Sequence, residues 1–274
     1  MQVSILLATY NSSAYIHEQI RSVQDQTHKD WILYIRDDGS TDNTIEILEN
    51  MARDDGRIRI FEPDNLNLGA ARSFMRLLEK VDANYYMFCD HDDVWLPEKI
   101  EKSVRRMVEA EKDVKGPVVV HTDLIVVDDK LKPIAESYWK AVGIKPKVIT
   151  KFNIIQVFNC VTGCTMLFNK QAKMVSLPYN EASPMHDWWI AIKTKMNGGV
   201  IVQVNEALIK YRQHGLNQVG AKKVDGGYYL SKLQQLKSTL SGNREKLDFL
   251  KKIGGIGPLE FTVYKIFYNI IRKI

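Results

Sequence analysis

Cysteine is scarce: Cys89, Cys160 and Cys164 are the only three in 274 residues. An odd number in apolar surroundings excludes a disulfide framework and suits free thiols in a reducing cytoplasm. Cys160 and Cys164 stand C-x3-C without a second ligand pair, which is not the spacing of a zinc site. Long hydrophobic runs are also missing. No stretch approaches the roughly 18–20 uninterrupted apolar residues of a spanning helix. The chain starts directly in an apolar, strand-like run with no basic n-region, so no signal peptide is expected. There is no internal repeat and no low-complexity tract. Basic charge is thin over most of the chain. Of the net charge of +5, the segment 222–274 contributes eleven Lys/Arg against four Asp/Glu, which leaves the remainder slightly acidic. A nucleic-acid partner would call for a basic stripe on the main body, interleaved with aromatics, and the sequence offers none.

What is present is ordinary for a globular chain: 45% hydrophobic and 26% charged residues, enough to build a sizeable core. Val3 to Thr9 is a continuous apolar run, as a buried parallel strand reads. Ser12 or Ser13 can cap a helix over about 14–26. Trp31 to Ile35 reads as a second strand, and Thr41 or Asp42 starts the next helix. Ile58 to Phe61 is a short third strand, followed after Gly69 by a helix with Phe74, Leu77 and Leu78 inward. Tyr85 to Cys89 is the fourth strand. Strand–helix alternation four times over, with short connections, predicts a mainly parallel, Rossmann-like sheet flanked by helices. Ligands in such sheets sit beyond the carboxyl ends of the strands. Asn11, Asp37-Asp38 and Asp90 to Asp93 all follow strands and should gather at one edge.

The later pattern is less regular. A helix is expected from Leu96-Pro97-Glu98 to about Glu111. Strands are expected over Val118–Val120, Leu124–Val127, Thr162–Phe168, Val200–Val204 and Leu208–Tyr211, with a helix from His186 to about Met196. Residues 134–151 are poorly patterned and read as a lid-like segment. From Tyr228 onward the chain looks helical, which divides it into a main domain over 1–220 and a basic helical extension over 221–274.

The segment Asp90-His91-Asp92-Asp93 is the most informative feature. A buried strand running into three carboxylates needs water, a partner or a cation to hold that charge. Asp90 and Asp92, spaced i and i+2 on an extended strand end, point to the same side. A hard divalent metal that already carries phosphate oxygens suits them.

These residues carry a resemblance. VSILLATYN, RDDGSTDNT, NLNLGAARS, CDHDDVWLPEK and HDWW, in this order over residues 1 to about 215, resemble family 2 inverting glycosyltransferases with the GT-A fold. The ending YRQHGLNQVGA, taken with HDWW, resembles the bacterial rhamnosyltransferase-like branch. The resemblance implies a pyrimidine nucleotide-sugar donor, Mg2+ or Mn2+ as cofactor, and a glycan or lipid-linked glycan acceptor. It further implies a cytoplasmic enzyme of cell-surface polysaccharide synthesis, peripheral on the inner face of the membrane.

The nucleotide pocket that this implies contains Thr9, Tyr10, Asn11, Asp37, Asp38, Gly69, Arg72 and Asp90. Tyr10 can stack on the base. Asp38, favoured over Asp37, can accept N3–H of uracil or thymine, although Asp37-Asp38-Gly39-Ser40 also reads as a turn and helix cap. Gly69 permits close backbone approach. Arg72 is open between phosphate contact and an ordinary solvated helix residue. For the metal, the resemblance points to Asp92 as direct ligand with Asp90 nearer the ribose, and His214 matches the later histidine that completes the shell; a surface-loop histidine is the alternative. Asp93 is left to cap the Pro97 helix or to support the shell.

Inverting transfer needs a base for the acceptor hydroxyl. Asp187, at a helix start, matches the family position, although a helix-start Asp is often only a cap. His186 stands where many relatives have Glu and could hydrogen-bond Asp187. Trp188 and Trp189 could offer a sugar-stacking face, with one of them in the core. Asp123 is open between a sugar or acceptor contact and a structural role, and Gly163 reads as a tight strand residue beside the donor. In the basic tail, Phe261, Tyr264, Phe267, Tyr268 and Ile271 interleave with Lys265, Arg272 and Lys273, as in helices that lie on anionic membranes. Packing of that helix on the body is the alternative. Two other functions stay open: a sugar nucleotidyltransferase, and a non-catalytic sugar-nucleotide or glycan-binding protein.

Overall fold

A computed structural model describes residues 1–63, 66–151, 153–214 and 240–272. Strands β1 (Val3–Thr9), β2 (Trp31–Asp37), β3 (Ile58–Ile60) and β4 (Tyr85–Cys89) alternate with helices α1 (Ile16–Gln24), α2 (Thr44–Asp54) and α3 (Ala70–Lys80). Then follow β5 (Val94–Trp95), α4 (Lys99–Asp113), β6 (Val118–Val127), β7 (Pro133–Ala135), α5 (Tyr138–Val142) and α6 (Pro146–Lys151). Strand β8 (Leu167–Asn169), α7 (Lys170–Ser176), α8 (His186–Met196) and β9 (Val200–Arg212) complete the sheet, and α9 (Leu240–Lys252) and α10 (Pro258–Ile271) lie beyond it.

The strands form one sheet in the order β3-β2-β1-β4-β8-β6-β9-β5, with β7 on β6. β1, β2, β3, β4, β6 and β9 run one way, and β5, β7 and β8 run against them. The sheet is therefore mainly parallel, as expected. Every residue of β1 is buried, because its two faces serve two cores. Ile5 and Leu7 pack with Ile16, Ile20, Leu48 and Met107 from α1, α2 and α4. Leu6 and Ala8 pack with Phe74, Leu78, Phe168, Trp188 and Ile192 from the opposite side. Burial on both faces is why β1 reads as an unbroken apolar run rather than an alternation. Each fully buried Leu, Ile or Phe contributes about 1.5–3 kcal/mol.

Register sets the position of the polar clusters. Thr9 pairs with Asp37 and Leu7 with Cys89, so Asn11, Asp37-Asp38 and Asp90 to Asp93 leave the sheet at one edge. The turn after β1 uses Asn11 at φ 47°, a left-handed conformation that asparagine tolerates better than most residues.

Several elements differ from the sequence reading. The two strand pairs expected at 118–127 and 200–211 are two long strands, with register irregularities at Asp123 that absorb the interrupting polar residues. Residues 162–168 do not form one strand. Gly163–Thr165 is a 3-10 turn, with Thr165 N–H on Thr162 O at 2.9 Å, and pairing resumes only at Leu167. No serine side chain caps α1, because Ser12 Oγ accepts the Tyr10 N–H at 3.1 Å. The segment 134–151 folds as β7, α5 and α6, with Trp139 and Ile149 buried. The boundary expected at 220/221 lies outside the described residues. Beyond it, Phe249, Leu250, Ile256, Phe261 and Tyr268 join the core shared with α3 and α8. The aromatic set of α10 therefore turns partly inward, with Tyr268 Oη accepting the Lys145 N–H at 3.0 Å. A separate aliphatic stripe, Leu259, Val263, Ile266 and Ile270, faces out at 80, 54, 58 and 57% exposure.

Candidate active site

At the nucleotide end, two adjacent carboxylates differ in role. Asp37 holds its own turn: Oδ1 accepts from Thr9 Oγ1 at 2.7 Å and Ser40 Oγ at 2.6 Å, and Oδ2 accepts from the N–H groups of Gly39 and Ser40. This is the turn of the alternative reading without its helix cap, since α2 starts only at Thr44 and its N-cap side chain makes no capping bond, and it engages Thr9 as well. Asp38 is buried deeper. Its Oδ1 accepts from Arg36 Nη1 at 2.5 Å, Leu68 N–H at 2.8 Å and Ser73 Oγ at 2.9 Å, whereas among the described residues Oδ2 accepts only the Gly69 N–H at 2.7 Å. A carboxylate offers about four acceptor sites, and Oδ2 thus keeps a lone pair. Burial pushes the Asp38 carboxyl up, but the Leu68, Arg36, Gly69 and Ser73 hydrogen bonds together hold it below its ordinary value. Gly69 sits at φ 74° with nothing within 4 Å of a built Cβ; its conformation, rather than crowding, calls for glycine. Tyr10, the residue after β1, is 47% exposed. Asn11 Oδ1 accepts the Thr41 N–H at 2.8 Å. Arg72 is exposed, with Nε on Leu68 O at 3.1 Å and Nη1 3.7 Å from Glu181.

The acidic loop after β4 meets the end of β9. Asp92 Oδ2 and His214 Nε2 are 2.9 Å apart across 122 positions of sequence. His214 is therefore not a free surface histidine. Burial raises the Asp92 carboxyl, but the His214 hydrogen bond and nearby imidazole charge hold it below its ordinary range. Asp90 behaves oppositely: burial, then the charges of Asp92 and Asp187, push it up to about 7. Asp93 is fully buried and accepts the Arg212 N–H at 3.1 Å, and it caps no helix. Burial and its acidic neighbours push its carboxyl up strongly.

A carboxylate oxygen and an imidazole nitrogen 2.9 Å apart are a donor pair that fits a divalent cation, with the remaining positions left to oxygen ligands. Among the described residues, Asp90, Asp93 and Cys164 form a second group, whose ligand atoms lie within 4.8 Å of one another.

Asp187 begins α8 and is buried. Its Oδ2 accepts the Gly163 N–H at 3.0 Å; Oδ1 accepts the Trp188 N–H at 2.5 Å and lies 3.4 Å from Asn159 Nδ2. Burial pushes its carboxyl up to about 6, against the lowering effect of the Trp188, Gly163 and Asn159 donors. The charge it exerts on Asp90 joins this end of the site to the acidic loop. His186 does not bond to Asp187. It lies stacked on Phe74 at 4.7 Å and edge-on to Phe88 at 4.8 Å, with no hydrogen-bond partner on either ring nitrogen among the described residues, and burial pushes its pKa down to about 3.

Both tryptophans belong to the core. Each is 4% exposed; Trp188 Nε1 donates to Ile155 O and Trp189 Nε1 to Ser176 O, each at 2.6 Å. Trp188 thus presents no open stacking face. Asp123 lies within β6, where Oδ2 accepts from Ser137 Oγ at 2.5 Å and Oδ1 from the Trp139 N–H at 3.1 Å. It ties α5 to the sheet, which is the structural alternative. Gly163 acts through its N–H on Asp187 rather than as a strand residue. Sequence reading missed Arg36, Asn159, Glu18, Tyr15 and Arg212. The one signal for two of them is an arginine two places before Asp38 and before His214.

Residues 4–173 match the family described as glycosyl transferase family 2. Bacillus subtilis TuaG, named for teichuronic acid biosynthesis, is 28% identical over 77% of this chain and 78% of its own length. Shigella flexneri RfbG, named a dTDP-rhamnosyl transferase, is 29% identical over 78% of this chain and 74% of RfbG. Among solved structures, Staphylococcus aureus TarS 1–349 in complex with UDP-GlcNAc superposes with TM-score 0.61 at 18% identity, covering 91% of this chain and 72% of that one. The mannosyltransferase PcManGT of Pyrobaculum calidifontis, in complex with GDP-Man and Mn2+, superposes with TM-score 0.57 at 12% identity, covering 99% and 80%. These likenesses establish the GT-A fold expected from the motifs. With the family match spanning well over half of its length, the chain belongs to glycosyl transferase family 2 and is a glycosyltransferase.

Proposed function

We propose that this enzyme transfers a sugar, with inversion, from a pyrimidine nucleotide-sugar to a hydroxyl of a glycan or lipid-linked glycan in cell-surface polysaccharide synthesis. The observation that carries this reading is Asp187: a buried carboxyl at about 6, beside the acidic loop. A base near that value is ionised at neutral pH and still accepts a proton effectively. Asp187 takes the proton of the acceptor hydroxyl, the freed oxygen attacks the anomeric carbon, and the nucleoside diphosphate departs from the opposite face. Asp38, with its remaining Oδ2 lone pair, reads the N3–H of the base, and Tyr10 stacks on it. Thr9, Asn11, Asp37 and Gly69 shape the pocket, and Arg72 lies at its rim. Asp90 faces the ribose. Asp92 and His214 would hold Mg2+ or Mn2+, which supplies positive charge for the diphosphate oxygens. The names of TuaG and RfbG support a surface polymer and a deoxyhexose, and L-rhamnose from dTDP-rhamnose is the first donor to test.

Asp187→Asn tests the assignment. It keeps nucleotide binding and lowers transfer by about 10²–10⁴-fold; undiminished transfer removes Asp187 as base. A panel of UDP-, dTDP- and GDP-sugars scored by thermal shift tests the pocket, and binding of GDP-sugars alone overturns the role of Asp38. A nucleotidyltransferase would release pyrophosphate, and a silent binding protein would turn over none of the panel.

The tail is the proposed membrane contact, at the inner face of the cell membrane. The stripe Leu259, Val263, Ile266 and Ile270, spaced 4-3-4 along α10, supports it, as does the positive charge of the segment 222–274. Leu259→Ser with Ile266→Ser lowers sedimentation with vesicles of phosphatidylglycerol; unchanged recovery refutes this contact.

A further inference from the structure

Arg212 ends β9, two positions before His214. It is 3% exposed, and its donors reach four separate places. Its N–H bonds Asp93 Oδ1 at 3.1 Å, Nε the Asp92 carbonyl at 2.8 Å, Nη1 the Asp129 carbonyl at 2.7 Å, and Nη2 Glu18 Oε2 at 2.5 Å. The guanidinium also lies 4.8 Å from the centre of the Tyr15 ring. That same ring stacks on His214 at 4.7 Å and 26°. One side chain thus joins the acidic loop, the start of α1, the turn after β6 and the ring that supports His214. Lysine cannot reproduce this, because only a planar guanidinium offers N–H groups fixed in several directions.

We propose that Arg212 is the positioning residue that presents Asp92 and His214 together to a divalent cation. The inference rests on the reading of Asp92 and His214 as cation ligands. The two come from segments 122 positions apart. Arg212 grips the backbone of one ligand and the ring beneath the other. Without the guanidinium the positive charge can be kept, as in Arg212→Lys, but the shared support is gone. The two ligands then move independently and must be ordered by the cation itself. Partners that orient metal ligands are worth about ten- to hundred-fold in metal affinity.

The test is a titration of Mn2+ into the full chain with saturating UDP, free Mn2+ being read by electron paramagnetic resonance, alongside steady-state kinetics. Arg212→Lys is expected to raise the Kd for Mn2+ about ten-fold or more, while kcat at saturating Mn2+ stays near that of the unaltered enzyme. His214→Ala serves as the reference for loss of a ligand. Should Arg212→Lys fail to fold, Tyr15→Leu removes the ring between Arg212 and His214 and is expected to raise the Kd in the same way. An unchanged Mn2+ Kd in the position-212 or position-15 variant, while His214→Ala weakens it, overturns the proposal and leaves the ligand assignment standing. A kcat loss that persists at saturating Mn2+ with unchanged Kd also overturns it, because it marks a purely structural role. If His214→Ala binds Mn2+ like the unaltered chain, the ligand assignment fails, and the proposal fails with it.

Discussion

Gly163→Ala is the sharpest probe of how the proposed base, Asp187, is tuned. A Cβ at position 163 would stand 2.9 Å from His186 Nε2 and 3.7 Å from the Asp187 Cβ. His186 has no room to yield, since it is 4% exposed and lies against Phe74 and Phe88. The 3-10 turn must move instead, and with it the Gly163 N–H that donates to Asp187 Oδ2 at 3.0 Å. A hydrogen bond to a charged acceptor is worth about 1.5–3 kcal/mol. At about 1.36 kcal/mol per pH unit, its loss raises the Asp187 midpoint by about one to two pH units. The sign follows from the role: a base works when ionised, so activity falls as pH drops through its folded value, about 6 in the unaltered enzyme. The acid limb of kcat/KM should therefore move up to about 7–8, with the two enzymes converging near about pH 9. Nucleotide release followed across pH with excess acceptor measures this. Overpacking costs a further ~1–3 kcal/mol of stability, read separately by urea unfolding. An unmoved acid limb, or a uniform loss of rate at all pH values, refutes the reasoning.

Asp38→Asn should destabilise the fold as well as weaken uridine binding. It takes a charge-assisted hydrogen bond from Nη1 of the buried Arg36, a loss of about 1.5–3 kcal/mol in urea unfolding; a change below about 1 kcal/mol would refute that weight for the Arg36–Asp38 contact. Trp188→Ala should cost about 3–5 kcal/mol of stability and leave the acceptor KM unchanged where the protein remains folded. A selective rise in acceptor KM would restore Trp188 as a sugar platform.

Local pattern made much of the site legible. The run Val3–Thr9 and the run into Asp90 announce strands buried on both faces, since apolar continuity and its sudden end report burial directly. Parallel strands then bring their carboxyl ends to one edge, so the sequence alone groups Asn11, Asp37-Asp38 and the acidic loop. Where local pattern misled, a side chain had a remote partner. Thr162–Phe168 looks like a strand by composition, but the Gly163 N–H answers Asp187, 24 positions later. His186 looks like a companion for Asp187 and instead lies against Phe74 and Phe88. The aromatics of α10 look like a membrane face and in part pack inward, because the shared core accepts Phe261 and Tyr268.

The sequence by itself determined the alternation, the edge at which chemistry gathers, the family, and the identity of Asp187 and Asp92 as candidates. Those features depend on spacing and burial, which a chain carries residue by residue. Only the tertiary structure decided which carboxylate each donor would meet. Asp37 closes its own turn while Asp38 takes Arg36 and the start of α3. Asp92 acquires His214, and Arg212 secures both. Such pairings depend on which segments the sheet order brings together over separations of up to 194 positions, as between Glu18 and Arg212, and no periodicity encodes that.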